Sequence, residues 1–250
     1  MADTRFVVEY PPLRRHREEL SEQHRQRRRR LMVAIPAALV LVGTAAVWSA
    51  QLAVFVAAVA AFVILLMALP GSSSVNPGQL AGVEGEASVL ERLEGLPDDY
   101  LILNRVKLPD ETLTNRQREL DFIVAGPTGL WVVEVKNTPG HLQVMPGREH
   151  WPLARRAGCG SRPSWNAMRN PVPQARAQVE ALERWLLKNG SQARARAVIV
   201  MAHPEVAITD ADAAEIPVLV RDQVSGFLEA GPPRALEKSV PRHLADLRPG

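Results

Sequence analysis

The apolar positions of this 250-residue chain follow three patterns. Residues 31–70, LMVAIPAALVLVGTAAVWSAQLAVFVAAVAAFVILLMALP, form an apolar block without one charged side chain. A membrane-crossing helix needs about 20 such residues. The block is therefore too long for one span and right for two, near 31–48 and 52–69, divided at the weak break Trp48-Ser49-Ala50-Gln51. A buried helical hairpin of a soluble protein would keep a polar face, and this block has almost none. A signal peptide would be shorter, nearer the start and without a second span.

Past a Gly/Ser/Pro/Asn linker, GSSSVNPGQLAG at 71–82, the period shortens. Helical spacing over 83–95 gives way to strand patterns at 100–107, 118–125 and 129–136, with shorter strands near 141–145 and 149–153. A helix is expected at 172–188, opened by Asn170 as cap and Pro171 in the first turn. The apolar run ARAVIVMAH (195–203) reads as a strand, and IPVLV (216–220) as another leading into a helix near 222–229. A helix at 234–246 closes the pattern. This order describes an α/β (α+β, mixed-sheet) domain behind a transmembrane helical hairpin. The expected layout is a segment 1–30, spans over 31–70, a linker 71–81, a domain 82–230 and a tail 231–250.

Charge fixes the expected orientation. Residues 1–30 carry nine Lys/Arg against five Asp/Glu, whereas residues 71–250 sum to −1. The basic balance therefore belongs to the N-terminal segment. Arg27 to Arg30 abut the first span, which by the positive-inside rule places the N-terminus in the cytoplasm. Two spans return the chain to that side. A multi-pass protein of the cell (inner) membrane is expected, embedded in the bilayer through 31–70 with its large domain cytoplasmic. The lone Cys159 allows no internal disulfide and suits a reducing compartment.

The unusual chemistry lies in ELDFIVAGPTGLWVVEVKN (119–137). A symmetric turn centred on Pro127-Thr128 sets Asp121 opposite Glu134 and Glu119 opposite Lys136. Alternation puts Glu134 and Lys136 on one face, and Glu119 and Asp121 on one face. Like charges directly opposed, with Cβ atoms about 5 Å apart, are destabilising. A bound divalent cation offsets such repulsion. The competing reading is a solvated sheet face, against which the strands are apolar on both sides of the charges.

Glu86 stands four and seven residues before Leu90 and Leu93. It is either an edge residue or a carboxylate aimed into a site. Gln174 and Gln178, one turn apart, flank an apolar stripe of Ala175, Val179, Leu182 and Leu186, placed to orient a phosphate or water. Between hairpin and helix stand Arg148, Arg155, Arg156, Arg162, Arg169 and Arg176, opposed by Glu149. Such a cluster suits a nucleic-acid backbone, or equally a solvated loop.

Together these pieces resemble the NERD (nuclease-related) domain of the PD-(D/E)XK nuclease superfamily. They are Gly82-x-x-Gly85-Glu86, ELD with Asp121, GLWVVEVKN with Glu134 and Lys136, Gly140, Trp151, and NPVPQ with Gln174, across roughly 80–190. Leu120 replaces the proline of the superfamily motif. The resemblance implies a restriction-endonuclease-like αβββαβ core. It also implies Mg²⁺ (or Mn²⁺) held by Asp121, Glu134 and the Val135 carbonyl, with Glu86 direct or through water. Catalysis would fall to these carboxylates with Lys136 and Gln174. Arg155, Arg156, Arg162, Arg169 and Arg176 are then the candidate nucleic-acid contacts, and DNA or RNA the expected partner. The implied activity is phosphodiester hydrolysis, or binding without catalysis.

Overall fold

The computed structural model describes residues 3–4, 11–68, 76–155 and 164–247. Contacts divide the chain into two compact units, residues 11–80 and residues 1–10 with 81–250.

The smaller unit is a pair of long helices, α1 (Pro11–Trp48) and α2 (Ala50–Ala68), which pack against one another. The basic segment continues without interruption into the apolar block as one helix. Only Ser49 separates the two helices, a tighter break than the four-residue one expected. Over Arg28–Trp48, α1 is long and apolar enough to cross a membrane; the apolar stretch Ala50–Leu65 of α2 is shorter. Val40, Val47, Phe55 and Phe62 are exposed, so the pair buries little apolar surface within itself.

The larger unit is a mixed α/β fold built on two mixed sheets. Its first strand, β1 (Asp3–Thr4), lies parallel to β2 (Leu101–Pro109). Before β2 comes α3 (Pro77–Leu93), which belongs to this unit from residue 81 on. Then follow β3 (Gln117–Gly126) and β4 (Gly129–Lys136), antiparallel neighbours. A second sheet takes β5 (Gly140–Gln143), β6 (His150–Arg155) and β7 (Ser164–Arg169). The chain returns through α4 (Val172–Lys188) to β8 (Ala195–Met201), beside and parallel to β4. It then adds β9 (Val206–Thr209) to the second sheet and β10 (Val218–Val220) to the first. Helices α5 (Val224–Glu229) and α6 (Ser239–Ala245) complete the unit. The sheet orders are β1-β2-β3-β4-β8-β10 and β7-β6-β5-β9.

Three strands, β1, β7 and β9, have no counterpart in the sequence expectation. β1 is a two-residue edge of the first sheet, and β7 and β9 are the short edge strands of the second. Ser164-Trp165-Asn166-Ala167-Met168-Arg169 lacks the apolar alternation that marks a half-buried strand, because only Met168 is partly covered. Arg169 therefore belongs to a strand and not to a loop.

Helix α4 covers one face of the first sheet. Leu182 and Leu186 share a core with Leu130 and Val132 of β4 and with Val240 and Leu244 of α6. The first half of α4, through Val172 and Ala175, packs instead with Trp151 and Leu153 of the second sheet. One helix thus binds both sheets where β4 ends, and the charged residues collect at that junction.

The ladder between β2 and β3 contains a local inversion. Val106, Leu108 and Leu120 join the same core as Leu103, Ile123 and Ala125, although the two groups have opposite parity. Strict alternation would send them to opposite faces. The change falls at Arg105, whose φ of 52° lies in the left-handed region, across from Asp121. A non-glycine residue held there stores strain, which collects at functional sites.

Candidate functional site

The β3–β4 ladder runs from Gly126–Gly129 to Phe122–Val133, the register that the Pro127-Thr128 turn predicts. Asp121 and Glu134 are the next positions beyond it. There the backbone ladder stops and side chains take over: the Val135 amide donates to Asp121 Oδ2 at 2.7 Å. Glu134 is fully buried. Its Oε1 accepts from Lys136 Nζ at 2.5 Å and its Oε2 from Gln178 Nε2 at 2.6 Å.

The facing helix explains these partners. Gln174, Gln178, Leu182 and Leu186 recur every fourth residue and share one stripe of α4. Leu130, Val132, Glu134 and Lys136 recur every second residue along β4. The apolar halves of the two rows share a core. Their polar halves bond, Gln178 to Glu134 and Gln174 Oε1 to Lys136 Nζ at 3.0 Å. The amides thus continue an apolar seam as a polar one.

Gln178 is the residue the sequence reading undervalued. It is buried, and it also donates to the Glu119 carbonyl at 3.2 Å, whereas Gln174 is exposed. Its place four residues before Leu182 on the buried stripe was the available signal. Arg105 was missed altogether. Its Nε lies 3.0 Å from Glu119 Oε1 and 3.8 Å from Glu86 Oε2. Glu119 therefore answers Arg105, and Lys136 is engaged by Glu134 and Gln174 in place of the expected cross-strand Glu119.

Glu86 is brought to this cluster by α3. Gly85 permits the approach: a Cβ there would stand 2.5 Å from the Asn137 Cβ, and Asn137 Nδ2 donates to the Ala81 carbonyl at 2.6 Å. Glu86 faces inward, with 17% of its side chain exposed and Oε2 accepting no hydrogen bond. Burial raises its carboxyl to about 7, helped by the charges of Glu119 and Glu134 and opposed by Arg105. Asp121 retains some accessible surface, yet its carboxylate is enclosed by protein. Burial, with the repulsion of Glu134 and Glu86, pushes it well above the ordinary carboxylate range, against the pull of the Val135 amide.

The donor set is oxygen-rich, mutually repelling and partly unbonded, which is the chemistry of hard-cation ligands. Among the described residues no three His, Cys, Asp or Glu side chains are already gathered as a metal ligand group. Asp121 and Glu134 instead spend oxygens on Val135, Lys136 and Gln178.

The arginines disperse. Arg155 and Arg169 lie at opposite ends of the β6–β7 ladder, paired with Ser164 and His150. Arg176 is not opposed by Glu149 alone, because folding brings Glu215 into an ion pair with it. Arg148 is exposed beside Glu149. Arg156 and Arg162, like Cys159, lie outside the described residues.

Residues 81–202 match the family model of the nuclease-related domain, NERD. The NERD match begins where α3 carries Glu86 inward and ends just past β8, so it contains every carboxylate of the cluster. Among curated proteins, none matches the chain. A crystal structure of protein VC1899 from Vibrio cholerae is similar at 15% identity and a TM-score of 0.28, over 62% of this chain and 33% of that one. The chain thus spans one third of that protein's length.

Proposed function

We propose that the NERD region is a divalent-metal-dependent nuclease that hydrolyses phosphodiester bonds in DNA or RNA at the cytoplasmic side of the cell (inner) membrane. The observation that carries this reading is the buried Glu134, clamped between Lys136 and Gln178 and near enough to Asp121 and Glu86 that its charge pushes both of their carboxyls up. Lys136, Arg105 and the upward shifts of Glu86 and Asp121 relieve part of this repulsion, and a divalent cation is the partner that would let all three carboxylates ionise together.

In this reading Asp121, Glu134 and the Val135 carbonyl hold Mg²⁺ or Mn²⁺, and Glu86 contributes directly or through water. An ion held there would supply Lewis acidity toward a phosphodiester oxygen and would lower the pKa of a bound water. Gln178 fixes the rotamer of Glu134. Lys136, held between Glu134 and Gln174, positions the water and stabilises the extra negative charge of the transition state. Residues 31–70 serve as a two-span anchor, supported by the Arg28–Trp48 helix, the apolar stretch that follows and the arginines at its start.

The test uses the full chain in detergent with labelled single- and double-stranded DNA and RNA. Cleavage is expected with Mg²⁺ or Mn²⁺, absent in EDTA and lost in Glu134→Gln and Lys136→Ala. Folded protein that cuts none of these substrates under any of these conditions overturns the reading. A second reading, a tethered nucleic-acid- or protein-binding module without catalysis, is favoured by the engagement of both Glu134 oxygens in protein hydrogen bonds. Metal-independent binding indifferent to Glu134→Gln would select it.

A further inference from the structure

The second sheet has one face packed on α4 and β8 and one face open. Leu142, Trp151 and Leu153 point inward and are buried. The register then fixes the outward rows. Ala207, His141, Ala154 and Trp165 lie side by side across the four strands, and Thr209, Gln143, Pro152 and Ala167 form the next row. His150 and Arg169 pair beyond them.

This face has an unusual composition. Trp165 is 69% exposed; the other large exposed apolar side chains among the described residues, Leu187 apart, all belong to α1 and α2. Its described neighbours on this face are the small residues Ala154, Pro152 and Ala167, so none of them shields the indole. None of the four strands contains an Asp or Glu, while the open face carries Arg169, His141 and His150. Acids flank the strands in the chain at Glu149, Glu205 and Asp210, and Asp210 accepts from Gln143 Nε2 at 3.2 Å. The chain enters this sheet at Gly140, four residues beyond Lys136, and the Trp165 row is the second from that entry. Neighbouring strands are about 4.8 Å apart, so Trp165 lies roughly 10 Å along the row from His141.

We propose that the open face of the second sheet binds single-stranded nucleic acid, one base stacking on Trp165 and flanking phosphates meeting Arg169, so that the strand runs toward the carboxylate cluster. A duplex keeps its bases stacked inside and offers no free base face to this ring. An anionic membrane fits poorly, because one indole among alanines provides little area to insert. The proposal rests on the nuclease reading for its direction, though its binding step needs no catalysis.

The test is fluorescence anisotropy of labelled oligo(dT) with the full chain in detergent and EDTA, where no cleavage occurs. Base–aromatic stacking is worth about 1–3 kcal/mol, so Trp165→Ala is expected to weaken binding about five- to 150-fold. Trp165→Phe should retain most of the affinity, and Arg169→Gln should lower the salt slope by about 0.7. The basic N-terminal segment is common to all variants and cancels in the comparison. Unchanged affinity in Trp165→Ala overturns the proposal. So does a Trp165→Ala defect confined to binding of phosphatidylserine vesicles or to self-association. Absence of cleavage with any metal would sink the nuclease reading alone and leave this result standing.

Discussion

Neutralising Glu86 should stabilise the protein, and only at high pH. Glu86 has its carboxyl raised from 4.5 to about 7, chiefly by burial. Its folded form therefore holds a proton that the unfolded chain releases between those values. The associated stability is fully present below about pH 4.5 and is lost as pH rises through 7. At pH 8 the ionised carboxylate costs about 3 kcal/mol by that difference, somewhat less given the 17% of the side chain that solvent reaches. Glu86→Gln removes the charge and keeps an oxygen for Arg105. With about 2–4 °C per kcal/mol for a domain of this size, the variant should melt about 5–10 °C above wild type at pH 8 and level with it at pH 4. Thermal unfolding of the full chain in detergent and EDTA, followed by near-UV circular dichroism, measures this. An equal gain at both pH values, or none at pH 8, refutes the reasoning, because the carboxylate would then not be an electrostatic burden.

Other substitutions probe the scaffold around the cluster. Gln178→Ala leaves the buried Glu134 Oε2 without its donor and should cost about 1–3 kcal/mol in denaturant unfolding, whereas Gln174→Ala, at an exposed site, should stay within about 0.5 kcal/mol. Asp110 is held down to about 2 by Thr112 and then Arg118. Its contribution, about 2 kcal/mol, is present above its ordinary range and lost as pH falls through 2. Asp110→Asn should therefore be destabilised at pH 7 and indistinguishable from wild type near pH 1.5 in urea titrations. Gly85→Ala drives a Cβ to 2.5 Å from Asn137 and should lose about 1–3 kcal/mol, read by the same melts.

Much of this site was written in local pattern. The hairpin register follows from turn symmetry, and helix 172–188 from its proline start and apolar stripe, because both are set within twenty residues of chain. The adjacency of Lys136 and Glu134 follows from strand alternation. What escaped depends on pairing between distant segments. Arg105 sits in β2, and only the β2–β3 ladder brings it opposite Asp121; nothing in LILNRVKL announces a left-handed backbone. Glu215, which neutralises Arg176, arrives from thirty-nine residues further on. The strands β7 and β9 escaped for a different reason: exposed edge strands with little to bury carry no strong hydrophobic period. Gln178 was visible and passed over, although its place on the buried stripe marked it as the better-enclosed amide.

The claim on which the account turns is that the hairpin carboxylates form a cation site. Electron paramagnetic resonance of Mn²⁺ titrated into the full chain in detergent at pH 8 measures this directly. One saturable site in wild type, lost in Asp121→Asn while the variant's circular dichroism stays native, is the result the account predicts. Equal Mn²⁺ uptake by wild type and Asp121→Asn, or no saturable uptake by either, would contradict it.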